Sequence, residues 1–172
     1  KTLRMAIAGA EKTPKGFHEI WNAAFGDTYR EGYGLTEASP VVGVNTKTKD
    51  FGWFSTGTRK ASIGKLYPGM RAKILHPATL AEMPFGQQGL LAMQGANIFA
   101  GYLDNRAATD SALQDGWLVT GDLARLDPDG FLYIDGRVSR FSKIGGEMVP
   151  HTSVEDSIVK ALGIQDSEVP LV

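Results

Sequence analysis

The chain contains no cysteine, no long apolar run and almost no net charge. Without cysteine it forms neither disulfides nor thiolate metal sites, and the composition is compatible with a cytoplasmic location. No run approaches the roughly 18 consecutive apolar residues that a spanning helix needs, so no membrane span is predicted in this piece. A formal net charge of −1, from 18 basic and 19 acidic residues, argues against a sequence-wide attraction to nucleic acid.

The common nucleotide-binding signatures are also absent. The glycine fingerprint of dinucleotide-binding folds does not occur, and Gly64-Lys65 lacks the upstream glycine of the usual phosphate loop. The three histidines lie far apart and none has a second ligand at helical spacing, so we interpret them as structural or surface residues. Any nucleotide site in this chain must therefore be of another kind.

The segments between the many glycines and prolines predict a mixed α/β fold. Residues 3–8 and 28–33 read as strands on either side of a helix that Thr13-Pro14 introduces, which is typical of a parallel α/β unit. The apolar stripe of this helix consists of Phe17, Ile20, Trp21 and Ala24.

A β-rich subdomain is predicted after Pro40. Short strands are expected at 41–44, 71–75 and 90–94, and a short helix at 106–113. Asp127-Pro128-Asp129-Gly130 lies between two apolar runs, 118–126 and 131–134, and this pattern predicts a hairpin.

A domain boundary is predicted at Asp135-Gly136-Arg137, which separates residues 1–136 from 137–172. The second part should begin with a strand at 138–144. A helix should follow from the capping-box spacing of Thr152 and Glu155 to about Leu162. The chain starts abruptly on an apolar strand pattern, from which we expect a fragment of a longer protein.

Tyr33-Gly34-Leu35-Thr36-Glu37 places four chemically different groups in one turn after a strand. The tyrosine can stack on a base, the threonine hydroxyl can donate to a phosphate oxygen, and the carboxylate can bind Mg²⁺. Taken alone, a surface turn with a packed tyrosine is the better interpretation.

Asp122, in Thr120-Gly121-Asp122, can accept hydrogen bonds from two ribose hydroxyls, as acidic residues do in other nucleotide folds. The purely structural alternatives are that Asp122 caps its own turn and that Arg137 makes a surface salt bridge. Each signal is weak by itself.

The joint order of these blocks resembles the adenylate-forming superfamily, which includes acyl-CoA synthetases, luciferase-like enzymes and peptide synthetase adenylation domains. The resemblance covers nearly the whole chain. Its blocks are Ala8-Gly9-Ala10-Glu11, Tyr33 to Glu37, Gly101-Tyr102-Leu103-Asp104-Asn105, Trp117 to Asp122, Gly136-Arg137 and Lys143-Ile144-Gly145-Gly146-Glu147.

The resemblance implies the C-terminal part of a large AMP-binding domain followed by the start of a small α+β lid domain. It implies ATP and Mg²⁺ as cofactors, and activation of a carboxylic acid as its acyl-adenylate before transfer to a thiol. The implied nucleotide contacts are Gly9, Ala10, Glu11, Tyr33, Gly34, Thr36, Asp122 and Arg137. Catalytic roles are implied for Thr36, for Glu37 as the metal ligand, and for Lys143 on the lid.

A closer resemblance is to the acyl-carrier-protein synthetase half of bifunctional acyltransferase/synthetases, seen in Ala10-Glu11-Lys12, Ile63 to Met70 and Arg137 to Val149. It implies a long-chain fatty acid, with acyl carrier protein or coenzyme A as the thiol acceptor and membrane association through other parts of the protein. The family's phosphate loop and its terminal lysine are expected to lie outside this chain, so the chain alone is predicted to be inactive.

One position departs from the family pattern. Many members carry an acidic hinge residue three positions after the arginine of the Gly-Arg pair, and here that position is Arg140. Gly136 and Arg140 are the predicted hinge. Two other readings stay open: a non-catalytic nucleotide-binding remnant, and an adenylation domain for an acid that is not a fatty acid.

Overall fold

The computed structural model describes residues 2–10, 13–14, 16–47, 49, 56–144 and 147–163. The chain forms two compact units, Lys1–Asp135 and Gly136–Val172. Within the described residues, no helix is both long enough and apolar enough to span a bilayer.

The first unit opens with a small sheet and one helix. Strand β1 (Ala6–Ala8) is followed by helix α1 (Phe17–Phe25), strand β2 (Tyr29–Gly34) and strand β3 (Val41–Val44). β1 pairs parallel to β2, and β3 pairs antiparallel to the other edge of β2. The predicted strand–helix–strand unit is therefore confirmed.

Helix α1 begins later than Thr13-Pro14 predicts. The amide of Phe17 donates to the carbonyl of Pro14, and Gly16 at the N-cap adopts a φ of 79°, which glycine tolerates without steric cost. The rings of Phe17 and Trp21 pack against Tyr29, with centroids 5.1 and 5.5 Å away. Ile20 is 71% exposed, so only part of the apolar stripe is covered.

A larger sheet follows. Its elements are β4 (Arg71–Leu75), β5 (Gly89–Gln94), α2 (Arg106–Ala112), β6 (Leu113–Gln114), β7 (Trp117–Leu126) and β8 (Leu132–Arg137). The strand order is β4-β5-β7-β6, and β8 also pairs with β7. The predicted β-rich region is confirmed. The helix within it starts at Arg106, where the Asn105 side chain accepts a hydrogen bond from the Ala108 amide.

The predicted hairpin is confirmed between β7 and β8. Oδ1 of Asp127 accepts hydrogen bonds from the amides of Asp129 and Phe131, at 3.0 and 2.9 Å. The Arg59 guanidinium pairs with Asp127 and lies 4.2 Å from the centre of the Phe131 ring. Partial burial raises the pKa of Asp127, but the Phe131 amide and Arg59 outweigh this and hold the pKa below its ordinary value.

One apolar core joins the two sheets of the first unit. Its buried members are Ala38, Val42, Ile74, Leu91, Met93, Leu118, Ala124 and Leu132. Burying a leucine or methionine side chain of this kind contributes about 1.5–3 kcal/mol. Ala38 and Val42 both follow the Tyr33–Glu37 block, so the core fixes the backbone directly after it.

The second unit contains a 3-10 helix at Val138–Arg140, strands β9 (Phe141–Ile144) and β10 (Glu147–Pro150), and helix α3 (His151–Leu162). β9 and β10 pair antiparallel. A strand was predicted over 138–144, but only Phe141–Ile144 forms one, because Val138–Arg140 is a 3-10 helix. The predicted end of α3 at Leu162 is confirmed, and the helix begins one residue before Thr152.

Candidate functional site

Tyr33 and Asp122 are brought together although they lie 89 residues apart. The phenol of Tyr33, near the end of β2, donates a hydrogen bond to Oδ2 of Asp122 on β7. Asp122 is only 3% exposed. A buried carboxylate needs hydrogen-bond donors, and Tyr33 supplies one of them.

The backbone around Asp122 is held by Thr120. The amide of Asp122 donates to Oγ1 of Thr120 at 3.1 Å, and the Thr120 hydroxyl donates to the Leu91 carbonyl on β5 at 3.1 Å. Gly121 between them has a φ of 73°, a conformation that other residues adopt with strain. The sequence Thr-Gly-Asp therefore makes a local bend that places the carboxylate beside Tyr33.

Two predicted glycines lie close to neighbouring backbone. A Cβ at Gly34 would lie 1.9 Å from the Pro40 carbonyl oxygen, and one at Gly9 would lie 3.0 Å from the Gly32 carbonyl oxygen. Ala10 follows β1, is exposed and has a φ of 74°. Glu11 lies outside the described residues.

Thr36 and Glu37 belong to a 3-10 helix, Thr36–Ala38, at the end of the block. Thr36 is exposed, and Glu37 is partly buried. Oε1 of Glu37 accepts a hydrogen bond of 2.6 Å from the phenol of Tyr102. Because the phenol donates to the Glu37 carboxylate and is partly desolvated, the pKa of Tyr102 is raised above its ordinary value.

The remaining predicted residues belong to the second unit. Gly136 and Arg137 end β8, with Arg137 exposed, and Arg140 ends the 3-10 helix that follows. Lys143 lies in β9. The Lys143 side chain lies outside what the structure describes.

The described residues contain no group of three or more His, Cys, Asp or Glu side chains that could hold a metal ion. A Mg²⁺ ion that accompanies a nucleotide often uses only one or two carboxylates, with phosphates and water as its other ligands. Glu37 fits that mode of binding. A surface concavity of about 480 Å³ is lined by none of the predicted site residues.

The AMP-binding enzyme family matches residues 1–103. The chain belongs to this family. The resemblance to adenylate-forming enzymes and the mixed α/β fold are therefore confirmed.

Several known proteins are similar to this chain in sequence or in structure. A long-chain-fatty-acid–CoA ligase of Salmonella typhimurium is 33% identical over 165 residues, which cover 96% of this chain and 28% of the relative. ATP-bound MatB from Rhodopseudomonas palustris is 30% identical, with a TM-score of 0.76 over 91% of this chain and 30% of that one. The anthranilate CoA ligase AuaEII, in complex with anthranoyl-AMP, is 25% identical, with a TM-score of 0.74 over 91% and 29%. This chain spans less than a third of each relative's length.

Tyr102 belongs to the family block Gly101-Tyr102-Leu103-Asp104-Asn105, in which no role was predicted for it. Its contact with Glu37 crosses 65 positions of sequence, and no local pattern indicates such a pairing. No role was predicted for Thr120 either, although a hydroxyl two residues before Asp122 is a signal for a side-chain-stabilised turn.

Proposed function

We propose that this AMP-binding family chain carries the base-, ribose- and metal-binding part of an ATP-dependent acid–thiol ligase. The observation that carries the proposal is the hydrogen bond between Tyr33 and Asp122. An aromatic ring can stack on adenine, and a carboxylate can accept hydrogen bonds from ribose hydroxyls. In the folded chain these two groups are joined by a hydrogen bond.

In this proposal Gly9 and Ala10 line the base pocket beside Tyr33, and Glu11, outside the described residues, keeps the base contact that the motif resemblance implies. Gly34 keeps the turn tight, so that the backbone after β2 can approach the nucleotide closely. Asp122 binds the ribose, and for Arg137, in the second unit, the ribose contact stays an expectation from the motif resemblance. At Gly34 a Cβ would lie 1.9 Å from the Pro40 carbonyl oxygen, so this tight turn requires glycine.

Thr36 donates to a phosphate oxygen, and Glu37 binds the divalent cation of Mg·ATP. The cation, when bound, neutralises charge that develops on the transferring phosphate. Glu37 supports this role because its carboxylate is held in place by Tyr102 through only one of its two oxygens. A carboxylate has about four acceptor positions, so metal ligation remains available.

The proposed reaction has two steps. A substrate carboxylate oxygen forms a bond to the α-phosphorus of ATP while the bond to pyrophosphate breaks. A thiolate sulfur then forms a bond to the acyl carbon, the acyl–oxygen bond breaks, and AMP leaves with the electron pair. Residues 1–136 would serve the first step as part of the large domain, and residues 137–172 would begin the lid that presents Lys143 for the second.

For the acid and the acceptor, we propose a long-chain fatty acid and coenzyme A. Support comes from the fatty-acid–CoA ligase at 33% identity. Acyl carrier protein remains the competing acceptor on the motif resemblance alone. An aromatic acid is the competing substrate, since the anthranilate CoA ligase is also similar. We propose a cytoplasmic enzyme whose phosphate loop and terminal lysine are supplied by other parts of the full-length protein.

The proposal is tested by ATP–pyrophosphate exchange with the full-length protein across a panel of fatty, aromatic and dicarboxylic acids. We expect exchange that depends on a long-chain fatty acid, followed by thioester formation with coenzyme A. Thioester formation with acyl carrier protein alone would replace the acceptor, and exchange with an aromatic acid alone would replace the substrate. No exchange with any acid, despite ATP binding, would favour a non-catalytic nucleotide-binding protein.

The 172-residue chain by itself provides a matched control. It should bind ATP weakly and release no pyrophosphate, because it holds base and ribose contacts without the phosphate loop. Micromolar ATP affinity with fatty-acid-dependent pyrophosphate release by this chain would contradict the proposed division of the site.

A further inference from the structure

The loop at residues 95–105, here named the Tyr102 loop, contacts the 3-10 helix that carries Glu37. The amide of Phe99 donates to the Glu37 carbonyl at 2.9 Å, and Nδ2 of Asn97 donates to the Ala38 carbonyl at 2.6 Å. The Tyr102 phenol reaches the Glu37 carboxylate itself. The loop therefore holds both the backbone and the side chain of the proposed metal ligand.

Tyr102 is itself fixed by neighbours outside the 3-10 helix. Its ring packs edge-on against Phe99, with centroids 4.8 Å apart and ring planes at 76°. Its amide donates to Oγ1 of Thr109 on α2 at 2.9 Å. Gly101 precedes it. A Cβ there would lie 2.6 Å from the Thr109 side chain, so a larger residue would not allow the loop to lie this close to the helix.

A three-residue 3-10 helix has little capacity to fix a side chain by its own hydrogen bonds. An isolated glutamate also loses rotamer freedom when it binds a metal, which weakens binding. A hydrogen bond that already selects one rotamer reduces this cost. The Tyr102 phenol can supply that selection at Oε1 and leave Oε2 for a ligand.

We propose that Tyr102 is a positioning residue for metal binding by Glu37. Its phenol holds Oε1, so that Oε2 faces the divalent cation that accompanies ATP. The inference deepens the proposed function and rests on it for the role of Glu37. The contact between the two side chains does not depend on that function.

The contact is tested first in the full-length protein without any ligand. A double-mutant cycle of Tyr102→Phe and Glu37→Gln, followed by chemical denaturation, should show that the two substitutions are not additive, whereas Tyr67→Phe and Glu37→Gln should be additive. Additive effects of Tyr102→Phe and Glu37→Gln would overturn the contact and with it the inference.

The second test measures Mn²⁺ binding in the presence of a non-hydrolysable ATP analogue by calorimetry. Tyr102→Phe should weaken Mn²⁺ binding by about three- to tenfold, the scale of one solvent-accessible hydrogen bond to a charged group. Tyr67→Phe is the matched control, because Tyr67 and Tyr102 are both 41% exposed. Affinity for AMP without metal should be unchanged in both variants.

Exchange kinetics separate positioning from general loosening. In Tyr102→Phe the Mg²⁺ concentration for half-maximal pyrophosphate exchange should rise by the same factor, and saturating Mg²⁺ should restore kcat. Unchanged Mn²⁺ and Mg²⁺ requirements in Tyr102→Phe, with normal exchange by the wild type, would overturn the inference alone. A wild type that neither binds Mn²⁺ with the analogue nor catalyses exchange would overturn the proposed function, whatever the double-mutant cycle shows.

Discussion

The two halves of the candidate site are held in different ways. Asp122 is 3% exposed and sits on β7, in the middle of a hydrogen-bonded sheet. Glu37 sits on a three-residue 3-10 helix, and its partner Tyr102 is 41% exposed. The proposed nucleoside-binding half is therefore built into the sheet, whereas the proposed phosphate- and metal-binding half is held by a surface loop.

This difference suggests a division of work. A group inside a sheet is placed by folding and cannot move far without loss of packing. The Glu37 side chain is held through its contact with the partly exposed Tyr102, so its substitution removes fewer buried contacts than a substitution inside the sheet. Substitutions in the two halves should consequently separate in their effects on activity and on stability.

The largest expected effect is that of Glu37→Gln. The substitution keeps the shape and removes the charge, so we expect pyrophosphate exchange to fall about a hundredfold or more. Because Glu37 lies at the surface half, the free energy of unfolding should change by less than about 0.5 kcal/mol. Exchange at the wild-type rate under limiting Mg²⁺ would remove Glu37 from the metal site and break the comparison.

The next effect tests whether the first unit alone serves adenylation. Proline fixes φ near −65°, so Arg140→Pro should trap one state of the proposed hinge. Thioester formation from preformed acyl-adenylate should fall by about tenfold or more, with pyrophosphate exchange spared. Equal losses in both half-reactions would mean that Arg140 is not the hinge or that the variant is misfolded.

A smaller effect is expected for the hairpin that extends β7. Asp127→Ala removes two amide contacts and the Arg59 pair, and should lower the free energy of unfolding by about 1–2 kcal/mol at pH 7. Chemical denaturation measures this loss, and exchange per folded molecule should stay unchanged. A fall in exchange with no fall in stability would link the hairpin to the site directly.

The same carboxylate gives a pH dependence with a defined sign. The pKa of Asp127 is depressed in the folded state, so its contribution is complete above its unfolded pKa, near 4, and is lost as pH falls through the folded value. Asp127→Asn keeps the oxygen acceptor but cannot titrate. Its stability should therefore approach that of the wild type as the pH is lowered through that window, and a constant difference would contradict this.

Much of the fold could be predicted because local patterns decide it. Asp127-Pro128-Asp129-Gly130 fixes a turn by its own side-chain and backbone preferences, and β4 was predicted with its observed bounds. The start of α1 was not, because Thr13-Pro14 predicted a helix entry that Gly16 makes instead. Two start signals within four residues cannot be ranked from local preference alone.

The site was predictable only in part. Site roles were predicted for Tyr33, Glu37 and Asp122 because ordered family blocks contain them. Local sequence alone is equally compatible with purely structural roles for these residues. The contact between Tyr102 and Glu37 crosses 65 positions and depends on how the loop before α2 packs. Such a contact is set by tertiary structure, so the sequence pattern contained no signal for it.

The most direct test of the central claim compares ATP with 2′-deoxy-ATP in Asp122→Asn, using the full-length protein and calorimetry. The claim is that Asp122 faces the ribose from within the sheet. We expect the variant to weaken ATP binding about tenfold and 2′-deoxy-ATP binding only about twofold, because the deoxy analogue already lacks one hydroxyl partner. Equal fractional losses for the two nucleotides would contradict the ribose assignment and the comparison built on it.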